Sequence, residues 1–203
     1  PPPGFNHQSD QYLGRYSGVG DGLVVLDSWK QQPRETVLLK DQLPAGSVLH
    51  PDLSFDAQRI LFSYCDHTPT NPTRRRFFIY EIGVDGSGLR QITQGPYDDL
   101  MPTYLPDGGI AFCSTRRRGH SRCFGGQFSG RWQVYTLHRM AADGNNIRTL
   151  SYHDTNEWFP AVSNDGLILY SRWDYIDRDA VTHQNLWSTR VDGTNPLAVW
   201  GNA

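Results

Sequence analysis

Apolar side chains come along this chain in short clusters of three or four, never in long runs. Ile60-Leu-Phe62, Ile110-Ala-Phe-Cys113 and Leu167-Ile-Leu-Tyr170 each end at a Ser, and the last two each follow a Gly. The clusters favour β-branched and aromatic residues, which suit half-buried strands. No segment sustains apolar residues at a 3.6-residue spacing, so helices are not expected.

The clusters repeat. Pro51-Asp-Leu-Ser-Phe-Asp-Ala-Gln-Arg-Ile-Leu-Phe-Ser63 returns as Pro102-Thr-Tyr-Leu-Pro-Asp-Gly-Gly-Ile-Ala-Phe-Cys-Ser114 and as Pro160-Ala-Val-Ser-Asn-Asp-Gly-Leu-Ile-Leu-Tyr-Ser171. A second half-motif surrounds Asp85-Gly86 and recurs around Asp143-Gly144 and Asp192-Gly193. A period of roughly 50 residues built from short strands predicts a β-propeller or a solenoid. The expected fold is all-β: a propeller of about three and a half four-stranded blades, within a larger ring of six to eight.

Each complete repeat predicts four strands, a to d. Strand a is placed at 53–55, 103–105 and 161–163, and strand b at 60–63, 110–114 and 167–171. Strand c is placed at 77–82, 133–140 and 184–190, and strand d at 89–93, 147–150 and 196–200. Asp107-Gly108 and Asp165-Gly166 predict two-residue hairpins between a and b. Residues 22–27 and 35–40 supply a half-blade. The expected units are a half-blade at 1–43 and blades at about 44–95, 96–152 and 153–203, all in one domain. The chain lacks an initial Met and stops within repeat sequence, so it is expected to be a fragment.

In an up-and-down blade the a–b and c–d turns share one face of the disc. The b–c loops and the d-to-a connectors share the other. The second face then carries every long loop: 64–76, 115–132, 172–183, 94–101 and 152–159. Long loops on a rigid scaffold are where function usually lies. The candidate binding residues are therefore His7, Asp10, His67, Asp99, Arg116, Arg117, His153, Glu157, Arg172, Asp174, Asp177 and His183.

The arginines have forked donors for carboxylate or phosphate, although such triplets also occur as solvated loops. Arg74–Arg76 reads as the solvated kind. Asp98-Asp99 and Asn156-Glu157 occupy the same place in consecutive repeats and are expected to face the central channel. Two readings stand for them: a ring of acids for a cation, or hydrogen bonding to blade-to-blade backbone. No catalytic residue is assigned, since no Gly-x-Ser-x-Gly elbow is present. The seven histidines show no His-x-x-x-His spacing, which leaves metal binding open.

Net charge is −2, so no bulk attraction to nucleic acid is expected. No apolar run approaches the roughly 18–20 residues of a membrane helix. The three cysteines include no Cys-x-x-Cys-His, so no covalent haem is expected in this piece. In an oxidising compartment Cys113 and Cys123 could approach to form a disulfide; the alternative is a buried Cys113 thiol.

The half-motifs Pro-x-x-Ser-x-Asp-Gly-x-Ile-x-Phe-x-Ser and Ile-Tyr-x-x-x-x-Asp-Gly-x-x-x-Arg-x-Ile-Thr resemble the TolB-like (PD40) propeller repeat. The same repeat builds the propeller of prolyl-oligopeptidase-type peptidases. Three stretches narrow the resemblance: 112–118, 135–148, and 156–160 with 170–178. They look like the middle domain of the hydrazine synthase alpha-subunit family. The resemblance implies an exported, periplasmic protein, and a scaffold beside a c-type haem domain. Haem c would belong to the parent protein, and the partner would be a neighbouring domain or subunit. The alternatives are a propeller lining the active site of a redox enzyme or hydrolase, or a TolB-like adaptor.

Overall fold

The computed structural model describes residues 19–20, 22–28, 32–119, 133–174 and 184–201. β1 (Val24–Leu26) and β2 (Glu35–Val37) form a two-stranded ladder. Three four-stranded antiparallel meanders follow. The first is β3 (Gly46–Leu53), β4 (Arg59–Asp66), β5 (Phe77–Gly83) and β6 (Arg90–Gln91). The second is β7 (Asp99–Tyr104), β8 (Ile110–Ser114), β9 (Thr136–Met140) and β10 (Arg148–Thr149). The third is β11 (Glu157–Val162), β12 (Ile168–Trp173), β13 (Gln184–Thr189) and β14 (Leu197–Trp200). Among the described residues the helical content is one 3₁₀ turn, Pro72–Arg74, capped by the Asn71 side chain. No helix there is long and apolar enough to cross a membrane. The architecture is a partial β-propeller.

The first and second of these four-stranded sheets are sandwiched by their neighbours, so their central strands β4 and β8 are buried on both faces. Along β4, Ile60, Phe62 and Tyr64 pack with Leu23, Leu38 and Leu39, towards the two-stranded ladder. Leu61, pointing the other way, packs with Tyr104, Ile110 and Phe112 of the next sheet. That double burial explains the unbroken apolar clusters of the sequence.

The innermost strands start earlier than the sequence pattern predicts. Each shifts register across a proline, between Leu49 and Asp52, Leu100 and Thr103, and Trp158 and Ala161. The residue before each proline takes a left-handed conformation: His50 at φ 54°, Met101 at 56° and Phe159 at 51°. These are β-bulges. The bulge turns an amide out of its own ladder and towards the preceding sheet. Met101 N–H donates to Ser63 Oγ at 3.1 Å, and Phe159 N–H to Met101 Sδ at 3.2 Å.

The tight turns also differ from two-residue hairpins. Gly108 N–H donates to Leu105 O and Leu105 N–H to Gly109 O, with positive φ at Gly108. The turn therefore has one more residue, and glycine takes the left-handed position after Asp. In the c–d turns this glycine has a second task. A Cβ on Gly144 would lie 2.5 Å from Ile92 O of the preceding sheet, and one on Gly193 would lie 2.6 Å from Leu150 O.

Candidate functional site

The long-loop face is built on the ends of the inner strands. Asp99 opens β7 and is fully buried. It accepts from Ser114 Oγ at 2.6 Å and from Arg116 through Nε at 2.9 Å and Nη2 at 2.7 Å. That fork also reaches Gln94 O, and the guanidinium lies 4.9 Å from the Tyr97 ring centroid. Arg118 donates to the Tyr97 hydroxyl and also lies over its ring.

Asp98 and Asn156 hold equivalent positions. Asp98 Oδ1 accepts from Phe77 N at 3.0 Å, and Asn156 Oδ1 from Tyr135 N at 2.9 Å. Each thus satisfies an amide at the start of the preceding sheet's third strand segment. Glu157 repeats the pattern one residue on. It accepts from Leu137 N at 2.8 Å and from Ser151 Oγ at 2.7 Å. Burial pushes its carboxyl up to about 7, against the pull of those donors and of Arg172 and Arg117. Of the two readings, Asp98, Asn156 and Glu157 show blade-to-blade bonding, while Asp99 bonds within its own sheet to Ser114 and Arg116. They lie buried at or just before the starts of the inner strands, because the bulges carry those strands past the prolines.

Arg172 and Asp174 were expected in a loop, but Arg172 is within β12 and Asp174 is 6% exposed. Asp174 accepts from Arg172 Nε at 2.8 Å, and from Asn185 Nδ2 and Trp187 Nε1 at 3.1 Å each. The Arg172 guanidinium lies 3.9 Å from the Trp187 ring centroid. His153 bonds through Nε2 with Trp173 O and Thr155 Oγ1, and burial lowers its pKa. Arg117 donates to His153 O at 2.6 Å, while its buried Nε has no partner. A cavity of about 220 Å³ lies beside this group, lined by Leu137, Ser151, His153, Tyr170 and Arg172 among others.

The structure therefore gathers Arg117, His153, Glu157, Arg172 and Asp174 at the seam of the second and third sheets, with Asp99 and Arg116 beside Tyr97. His67 stands apart in the first sheet, where its Nε2 lies 2.9 Å from Ser47 Oγ. His7, Asp10, Asp177, His183 and Cys123 lie outside the described residues. Cys65 and Cys113 are buried, and burial pushes the Cys113 thiol well up. Among the described residues, no group of three or more His, Cys, Asp and Glu could hold a metal.

Sequence reasoning missed His138, which is buried between Thr136 O and Thr149 Oγ1 and lowered to about 4 by burial. It also missed Asn185 and Trp187 as partners of Asp174. The polar Asn185 within a strand pattern was the available signal.

Solved structures share this fold. Hydrazine synthase of Kuenenia stuttgartiensis superposes with a TM-score of 0.66 at 18% identity, over 84% of this chain and 27% of its own. A TolB from Agrobacterium tumefaciens gives 0.58 at 22% identity, over 88% of this chain and 56% of its own. A puromycin hydrolase gives 0.54 at 18%, over 77% and 22%. The fold is a TolB-like β-propeller resembling that of the hydrazine synthase. The chain spans about a quarter of the synthase chain and about half of the TolB chain. No family model matches the sequence. No curated protein matches it either. At these identities the likeness concerns the fold, whose seams are filled here by the acids and arginines just described.

Proposed function

We propose that this chain is a non-catalytic propeller module of a larger exported protein, and that it presents its long-loop face to a neighbouring domain or subunit. A c-type haem domain is the neighbour that the resemblance to hydrazine synthase favours. One observation carries the reading. Three of the candidate acids, Asp99, Glu157 and Asp174, already accept the hydrogen bonds that hold strands and sheets together. A general acid or base needs a free approach to substrate, and these groups are buried. Exposed cations on the same face, Arg74 and Arg118, remain for recognition.

Hydrogen–deuterium exchange on the isolated chain and on the intact parent protein tests this. Slower exchange in the parent at 64–76, 94–99 and 115–119 is expected. Protection confined to the tight turns at 83–89, 141–147 and 190–196 would place the partner on the opposite face and overturn the reading. A pyridine haemochrome spectrum of the parent protein tests the haem neighbour separately.

A further inference from the structure

We infer that a hollow on the long-loop face is a docking site for an acidic segment of a partner protein. The inference rests on the reading of that face as an interaction surface. The hollow has a volume of about 540 Å³. Arg74, Arg75 and Arg76 form one wall, and Phe78, Pro69 and Pro96 give it an apolar lining.

Asp66 is the acid of the lining, and its Oδ1 already accepts from the Thr68 amide and hydroxyl at 2.8 and 2.6 Å. Three cations thus meet one carboxylate. Two of the guanidinium groups are held by backbone carbonyls: Arg75 Nε by Pro69 O at 2.9 Å and its Nη2 by His67 O at 3.4 Å, and Arg76 Nη1 by Thr73 O at 2.9 Å and Arg75 O at 2.7 Å. A carbonyl orients a guanidinium without cancelling its charge. The Nε–Nη2 edge of Arg76 keeps the fork that fits a carboxylate. Arg74 is exposed at the rim. The positive surface continues to exposed Arg118, stacked on Tyr97 next to Pro96.

An acidic peptide fits better than a nucleic acid. The chain as a whole carries a net charge of −2, so neither polyanion gains long-range attraction and the choice falls to the hollow's own lining. The apolar lining, by contrast, suits a side chain set between carboxylates.

The test is fluorescence anisotropy with a labelled, end-blocked Glu-Glu-Phe-Glu-Glu peptide. An oligothymidylate of equal charge and phosphatidylglycerol vesicles serve as comparison probes. Saturable peptide binding that weakens with added salt is expected. Arg74→Glu should weaken it by about tenfold or more with an unchanged melting temperature. Arg74→Ala, milder at an exposed position, should weaken it less. No peptide binding would overturn the proposal, as would an oligothymidylate or vesicles bound as tightly and with the same sensitivity to Arg74. If the peptide fails while the parent protein still shows protected long loops, the interaction face stands and this partner chemistry falls.

Discussion

Burial at the seam of the second and third sheets pushes Glu157 up to about 7, from 4.5 in a free side chain. The folded chain therefore holds an extra proton between those values. The stability from the neutral carboxyl is complete below about pH 4.5 and is lost as pH rises through about 7. His50 and His138, both lowered to about 4 by burial, act in the opposite sense. Their contribution is present above about pH 6.5 and is lost as pH falls towards 4. Comparing Glu157→Gln with the native chain removes the histidine background. Gln can still accept from Leu137 N and donate to Ser151 Oγ. The variant should match the native melting temperature near pH 4.5 and exceed it near pH 8, by at most about 3 kcal/mol. A difference that stays flat with pH would refute the raised pKa. Asp98→Ala should cost about 1–3 kcal/mol in urea unfolding, because it strands the buried Phe77 amide.

At the scale of elements, two glycines with similar backbone serve as a matched pair. Gly166 (φ 77°) has open space where a Cβ would stand, while Gly144 (φ 86°) has Ile92 O at 2.5 Å. Gly166→Ala should cost only the left-handed strain, about 1–2 kcal/mol. Gly144→Ala should cost clearly more, because a backbone carbonyl of the preceding sheet must move. Equal chemical-denaturation losses would show that the c–d turn does not dock on its neighbour. Strand order and turn placement were legible because the Asp-Gly turns and apolar clusters repeat with the blade. Strand limits were not. β4 runs to Asp66 and β12 to Trp173, since their partners β3 and β11 continue on the far side of a bulge. Nothing local announces a bulge except the recurring proline. The acids were legible as a recurrent position, Asp98 with Asn156. Their burial was not, because the amides they satisfy lie about 21 residues away in another sheet.

Across the whole molecule, a division of labour follows from these seams. Asp98 and Glu157 join sheet to sheet, Asp99 and Asp174 tie strands within their own sheets, and Arg74 and Arg118 stay exposed. The trailing strand β14 is exposed along its length, with Trp200 75% accessible, and Val24 and Val37 are exposed in the leading ladder. Such apolar edges favour association, so sedimentation of the isolated chain should depend on concentration, and Trp200→Lys should reduce the dependence. The account as a whole turns on which of the site residues are structural. The most direct measurement is the thermal melting of Asp174→Ala beside that of Arg74→Ala. Asp174 is buried against Arg172, Asn185 and Trp187, so its loss should cost about 3–5 kcal/mol by stranding a charge. Arg74→Ala, at the surface, should stay within about 0.5 kcal/mol of the native chain. A native melting temperature for Asp174→Ala would contradict the account and return that carboxylate to the pool of free ligands.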